Sequence, residues 1–355
     1  MKVLLTGICG FVGSTLARLF RERLPNLEVL GIDNFSRPGS ESNRITLQRL
    51  GIAVLHGDLR NASDLERFPD LDWIIDAAAN PSVLAGSDGR SSSRQVLEHN
   101  LYSTVNALEH CRSRRCGIIL LSTSRVYSIH KLSELKTDIG EAAFRISENH
   151  LPPDVTAEGV LESFSTEAPL SLYGSTKLAS ENLALEYHHA FGVPVWINRC
   201  GILAGAGQFG RADQGIYSYW INSYLRNRSL TYIGFGGQGY QVRDCCHPRD
   251  LVGLIAQQMR NPEGKQPRIV NVAGGRQNSM SLAQLTEWCA SRFGLRRAIK
   301  SDPLPRRHDV PWLVLNSHLA AEQWSWRVET PLRAILEEIA THAEGHPDWL
   351  ELSGA

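Results

Sequence analysis

Val3-Leu-Leu-Thr-Gly-Ile-Cys-Gly-Phe-Val-Gly13 is the stretch on which the fold turns. Val3, Leu4 and Leu5 form an apolar run without polar alternation, which suits a strand covered on both faces, as in a parallel sheet. Gly7, Gly10 and Gly13 follow at G-x-x-G-x-x-G spacing and lead into a stretch of helical period over residues 11–24. Further short apolar runs at 29–32, 53–55, 73–76, 118–122, 195–198 and 269–272 read as strands, and 93–111 and 175–191 as helices. The alternation predicts a doubly wound α/β fold. Beyond residue 200 the rhythm loosens. A Gly-rich stretch over 201–215 precedes a helix at 216–228, and 234–239 forms a second loop, so a smaller C-terminal α/β lobe is expected. The expected division is 1–199 for the nucleotide-binding domain, with returns to its sheet near 240–272, and 200–239 with 273–355 for the lobe. Ser281 with Gln284 makes a capping-box pattern, and Thr330-Pro331 puts a cap residue before a proline at the first helical position. Residues 128–165, with Pro152-Pro153 and scattered charges, read as an irregular insertion.

Charge excludes some partners. The 355 residues carry 37 Lys+Arg against 37 Asp+Glu, so no global field gathers nucleic acid or an anionic membrane, and neither is an expected partner. The seven cysteines (Cys9, Cys111, Cys116, Cys200, Cys245, Cys246, Cys289) form no CxxC pair and lack His at zinc-site spacing. No metal site is expected, and the thiols read as reduced and mostly buried in a cytoplasmic protein. The run over 3–5 is too short for a signal peptide, and no stretch approaches the roughly 18 apolar residues of a membrane span.

A glycine-spaced turn opening a helix lets backbone approach a pyrophosphate, although the same triplet suits an ordinary tight turn. Asp33 ends the second strand, 20 residues after Gly13. A carboxylate there accepts both adenosine ribose hydroxyls and disfavours a 2′-phosphate, so NAD is the expected cofactor. Arg37, nearby, points the other way. Asp58-Leu59, past the third strand, meets the adenine or else caps the strand end. Tyr173-Gly-Ser-Thr-Lys177 puts a phenol and an ammonium on one helical face. The ammonium and a cationic nicotinamide both stabilise phenolate, which makes Tyr173 a base for a substrate hydroxyl. The same spacing also suits a surface pair. Thr123 closes a strand expected to end at the carboxyl edge where doubly wound folds bind ligands.

Together these residues resemble the extended short-chain dehydrogenase/reductases, Rossmann-fold enzymes that act on nucleotide-diphosphate sugars, over nearly the whole chain. Residues 6–13 look like the TGxxGFxG cofactor motif, Asn100 falls where the helix-borne active-site asparagine lies, and Thr123, Tyr173 and Lys177 match the Ser/Thr-Tyr-Lys triad. Gln241-Val-Arg-Asp244 resembles the RD motif whose arginine clamps the substrate diphosphate. Asn271-Val-Ala-Gly-Gly275 followed by Ser279-Met-Ser-Leu282, and Pro305-Arg-Arg-His-Asp309, resemble later motifs of the substrate lobe. Within the family, Asp33-Asn-Phe-Ser-Arg37 with Gly39 and Asn43 is similar to the CDP-tyvelose (CDP-paratose) 2-epimerase group. So are Gly207-Gln-Phe with Asp213-Gln-Gly215 and the extra residues between Tyr127 and Tyr173. The resemblance implies NAD contacts from Gly7, Gly10, Phe11, Val12, Asp33, Asn34, Ser36, Arg37, Asp58, Leu59, Ala77, Ala78, Ala79, Asn100, Tyr173 and Lys177. It implies substrate contacts from Asn80, Ser124, Arg125, Arg199, Gln208, Gln214, Arg243 and Arg306.

Departures narrow the chemistry. The family's 4,6-dehydratases carry Thr-Asp-Glu at the strand end, and its UDP-glucuronate decarboxylases a Glu at the position of Arg125. Here Ser124-Arg125 follows Thr123, so neither dehydration nor decarboxylation is expected. Asp76-Ala-Ala-Ala-Asn80-Pro departs from HxAAQ, Ser128 replaces a Gly, and Ile202 replaces an Asn. The expected activity is redox-neutral epimerisation of a nucleotide-diphosphate sugar, a CDP-sugar favoured, with NAD held nearly permanently. A 4-epimerase, a net NAD(P)-dependent dehydrogenase or reductase, and a non-catalytic NAD-binding protein stay open. Arg243 and Arg306 neutralise the diphosphate or are solvated. Gln208 and Gln214 reach the sugar or stabilise their loop, and His188-His189 pack or face solvent. The helices over 93–111 and 175–191 form a four-helix homodimer contact, as in the family, or belong to the core.

Overall fold

The seven apolar runs become the seven strands of one parallel sheet in the computed structural model, which describes residues 1–355 except 88, 90 and 91. The strands are β1 (Lys2–Thr6), β2 (Glu28–Asp33), β3 (Ala53–His56), β4 (Trp73–Asp76), β5 (Gly117–Thr123), β6 (Val195–Cys200) and β7 (Ile269–Val272), in the order β7-β6-β5-β4-β1-β2-β3. Successive β1 side chains explain the unbroken hydrophobicity. Val3 and Leu5 enter a core with Phe20, Trp73 and Trp196, whereas Leu4 enters another with Ile74, Leu108 and Ile118. A sheet buried on both faces leaves no polar alternation to read. The Trp73 and Trp196 indoles donate to the carbonyls of Met259 (3.1 Å) and Gln258 (3.0 Å), satisfying N–H groups that burial would otherwise strand. Strand order reverses between β1 and β4, the point at whose carboxyl edge such sheets bind ligands.

The helix Leu172–Phe191 begins three residues earlier than its apolar period suggests. Ser171 Oγ accepts from the Gly174 amide at 3.0 Å, and Gly192, at φ 69°, ends the helix. Tyr173 therefore sits in the first turn and Lys177 in the second.

Val242–Cys246 does not return to the main sheet as expected; only β7 does. That strand sits in a second sheet with Ile202–Leu203, Ser279–Ser281 and Trp312–Leu313. A short apolar run carries no record of which sheet it joins. Helices Ile216–Leu225, Leu282–Phe293 and Leu332–Gly345 enclose a further core around Trp220, Tyr224, Leu285, Ile335 and Ile339. The capping box at Ser281 and Gln284 is present in both directions, each at 3.0 Å. At 330–331 the expectation fails: the Pro331 carbonyl accepts the first helical N–H groups, while the Thr330 hydroxyl donates to the Asp250 carboxylate at 2.7 Å. The buried acid outcompetes the helix terminus for that hydroxyl.

The stretch 128–165 is not irregular. It holds a helix (Ile129–Glu134), a hairpin (Thr137–Gly140 with Ala143–Ile146) and a short ladder (Val155–Thr156 with Gly159–Val160). Its Leu132, Val155 and Phe164 pack with Tyr127, Val242 and Trp312.

Candidate active site

A cavity of about 780 Å³ lies at the carboxyl edge, lined from the ends of β1, β2, β4, β5 and β6 and by the lobe opposite. Every site residue expected from the sequence lines it except Asn100 and Arg199.

The cofactor half is built by close approach. A Cβ at Gly13 would lie 2.3 Å from the Gly7 carbonyl, so only glycine lets the helix Phe11–Arg23 start this near the turn. The Asp33 carboxylate accepts from the amides of Cys9 and Phe35, each at 2.8 Å, which fixes it at the rim. Burial raises its pKa above the usual carboxylate value, and those amide bonds oppose the shift. Asp58 is also buried enough to raise its pKa, but hydrogen bonds from Arg60 and Asn34 win and hold it down at about 2. Arg37 is not a free cation beside Asp33: it donates to the Phe209 carbonyl. The glycine cradle, the anchored Asp33 and the occupied Arg37 fit NAD better than a 2′-phosphorylated dinucleotide.

The other half brings Thr123, Tyr173 and Lys177 to one wall, at 7%, 8% and 4% exposure, so a group held there is shielded from water. The turn Ser124–Val126 presses on the helix Leu172–Phe191: a Cβ at Gly174 would lie 2.2 Å from the Arg125 carbonyl. Gly174 thereby lets the turn that follows Thr123 pack against the first turn of the helix that carries Tyr173. The Arg125 guanidinium donates to the His308 carbonyl at 3.2 Å, and burial beside Arg243 and Arg306 pushes its pKa down to about 10. Arg243 pairs with Asp309 at 2.5 Å, and Arg306 donates to the Ala212 carbonyl at 3.0 Å. Gln208 donates to the Leu203 carbonyl, and Gln214 shares two backbone bonds with Arg211.

The two exceptions act behind the wall. The Asn100 amide clamps Asn80, accepting from its N–H at 2.7 Å and donating to its carbonyl at 3.2 Å, and also donates to the Thr176 hydroxyl. Thr176 in turn donates to the Tyr173 carbonyl at 2.8 Å. Asn100 sits in a widened π-turn, Glu98–Tyr102, between helical segments Ser93–Leu97 and Ser103–Arg114. Arg199, expected at the substrate, is spent on Glu181 through Nε and Nη2 (2.7 Å at closest), on the Tyr127 hydroxyl and on the Glu162 carbonyl. Glu181 follows Lys177 by four residues and also accepts from the Ser122 hydroxyl at 2.5 Å. Burial would lower the Arg199 pKa, but Glu181 keeps it raised. The pair fastens the helix Leu172–Phe191 to β5 and β6.

Sequence reading missed Asp213, whose carboxylate accepts from the Ser82 hydroxyl at 2.5 Å, as well as Asp309 and Gln241 on the wall. All three lie inside motifs that drew notice for other residues. Gln208 and Gln241 each carry a buried Oε1 without a partner among the described residues, an acceptor suited to a ligand N–H.

A Rossmann-type sheet with a dinucleotide cradle and a Thr-Tyr-Lys wall in one cavity defines a nicotinamide-dependent short-chain dehydrogenase/reductase architecture. The profile of the NAD dependent epimerase/dehydratase family matches residues 3–273, and the chain belongs to that family. It is therefore an NAD-dependent enzyme. Among curated relatives, CDP-paratose 2-epimerase of Salmonella typhi is 29% identical over 294 residues, 80% of this chain and 82% of that protein. UDP-glucuronate 4-epimerase 4 of Arabidopsis thaliana is 25% identical over 358 residues, 95% of this chain and 74% of that protein. The crystal structure of UDP-glucuronic acid 4-epimerase from Bacillus cereus, in complex with UDP-glucuronic acid and NAD, superposes with a TM-score of 0.74 at 25% identity, covering 97% of this chain and 99% of that one. No helix among the described residues is long and apolar enough to cross a membrane.

Proposed function

We propose that the chain is a redox-neutral epimerase of a nucleotide-diphosphate sugar, close in substrate to the CDP-paratose 2-epimerases. The observation that carries the epimerase reading is the convergence of Thr123, Tyr173 and Lys177 with the glycine cradle in one cavity, with no carboxylate following Thr123. NAD, when bound, supplies reversible acceptance of a hydride from the sugar carbon. Tyr173 takes the proton of the hydroxyl on that carbon, Lys177 stabilises the phenolate, and Thr123 donates to the oxygen as carbonyl character develops. The ketone turns within the cavity so that the hydride would return to its opposite face, which inverts the carbon, while Tyr173 returns the proton to the oxygen. Arg243 and Arg306 serve the diphosphate, to which a guanidinium donates two parallel bonds. The preference for a CDP-sugar rests on the 29% identical relative and on two segments that resemble that group: Arg37, in one, donates to Phe209, in the other.

A uronate substrate is the second reading. Arg125 places a cation on the wall beside the Tyr173 helix, where a sugar carboxylate would find a partner, and the UDP-glucuronate 4-epimerases are relatives. Incubation with CDP-, UDP-, GDP- and dTDP-sugars, neutral and acidic, followed by NMR of the sugar, separates the readings. Epimer formation without a net change at 340 nm supports epimerisation; NADH accumulating in proportion to product refutes it. Exposed Leu97, Tyr102 and Phe191, on the two helices expected to associate, support a homodimer, and seven buried, unbridged thiols support a reducing, cytoplasmic setting.

A further inference from the structure

Two loops reach the cavity from opposite sides: one follows β2 and carries Arg37, the other follows Ile202–Leu203 and carries Phe209. They meet. Arg37 donates to the Phe209 carbonyl, and Gly39 lies so close that a Cβ there would fall 3.0 Å from the Phe209 ring and 2.8 Å from the Leu352 carbonyl. A third element backs this contact. The Trp349 ring stacks on Phe209 with centroids 5.2 Å apart and planes at 16°, and its indole N–H donates to the Gln208 carbonyl at 2.9 Å. His342 also packs against Trp349, with ring centroids 4.6 Å apart and planes at 82°. Phe209 and Trp349 cluster with Phe11, the first residue of the helix that opens the glycine cradle.

Trp349 does not line the cavity, yet this one indole supports Phe209 against Phe11 and beneath the partner of Arg37. A single hydrogen bond between two surface loops opens readily. Backed by a 7% exposed indole, it opens only if that packing is also lost.

We propose that Trp349 is a positioning residue that bolts the Arg37–Phe209 bridge across the dinucleotide site, so that NAD leaves only when the bolt opens. An epimerase that ends each turnover in its starting redox state has no need to exchange its cofactor, and the bolt accounts for retention. The inference rests on the redox-neutral epimerase reading proposed above and on the sequence-based expectation that NAD stays resident.

The test uses purified, NAD-loaded enzyme: wild type, Trp349→Ala, Trp349→Phe and Gly39→Ala, which wedges the contact from the opposite side. Bound NAD is quantified over time during dialysis. Trp349→Ala and Gly39→Ala are expected to lose NAD at least about tenfold faster, with Trp349→Phe near wild type because the ring stack survives. Wild-type retention in both disrupting variants overturns the proposal. So does faster loss that is matched by an equal fall in the melting temperature of the NAD-free protein, since Trp349 then serves the fold alone. Retention is read without turnover, so its failure leaves the epimerase reading standing, whereas net NADH formation in an assay removes the epimerase reading and with it the residency on which this inference rests; the two failures are thereby told apart.

Discussion

Tyr173 and Lys177 lie one helical turn apart, nearly out of contact with water, and only the phenol oxygen separates a working Tyr173 from a well-packed phenylalanine. Tyr173→Phe is expected to slow epimerisation by about 10²–10⁴-fold, the usual worth of positioned proton transfer, while bound NAD stays at the wild-type level. NMR of the sugar together with nucleotide content checks both halves. His247 makes a second, independent point about protons. The Arg249 amide and guanidinium both donate to its Nδ1, at 3.0 and 3.1 Å, while its Nε2 faces the Glu338 carboxylate at 3.3 Å, which Arg249 also holds at 2.6 Å. Burial, with the charges of Arg249 and Arg18, pushes the ring pKa down from 6.5 to about 3. The unfolded chain gains this proton below about pH 6.5 and the folded chain does not, so stability falls as pH drops through that window. Urea unfolding at pH 7 and pH 4.5 is expected to show wild type losing roughly 2–3 kcal/mol more than His247→Gln over the interval.

The helix Leu282–Phe293 shows how one element corrects another. Ser281 caps it and also donates to the Ala142 carbonyl at 2.7 Å, and Gln284 donates to the Glu141 carbonyl at 3.0 Å. Glu141 and Ala142 form the hairpin turn at φ 52° and 57°, a left-handed geometry usually signalled by Asn-Gly. Ser281→Ala is expected to cost about 1–2 kcal/mol in denaturant unfolding, the loss of a cap together with a buried hydrogen bond. The hairpin was illegible because Glu-Ala carries no turn signal and its support comes from residues far along the chain. The seven sheet strands were legible because burial on both faces writes unbroken apolar runs. Arg199 was misread for the same reason: on a doubly buried strand nothing local says which face a polar side chain meets. The clue lay elsewhere, in Glu181 at helical spacing from Lys177. Asn100 was expected at the cofactor but lies behind the wall, and its bonds to Asn80 and Thr176 were illegible, since they depend on a widened turn that periodicity does not encode.

As a whole, the molecule sets a rigid, doubly covered sheet against a lobe whose loops complete the cavity. Thr123, Tyr173 and Lys177 stand on the sheet side, and Gln208, Arg243 and Arg306 on the other. The proposed homodimer would cover Tyr102, exposed on one of the two helices expected to associate, so Tyr102→Glu is expected to shift the sedimenting species from dimer to monomer; an unchanged coefficient counts against that interface. Tyr102 closes the same π-turn that holds Asn100, two residues away, and Asn100 grips both the Asn80 loop and the helix of Tyr173. In the proposed homodimer, association and the proposed proton transfer would share the five residues Glu98–Tyr102. Dilution would then be a kinetic variable: if Tyr102 is covered by a second copy, turnover per subunit is expected to fall as protein concentration drops below the dissociation constant, and concentration-independent turnover counts against the link.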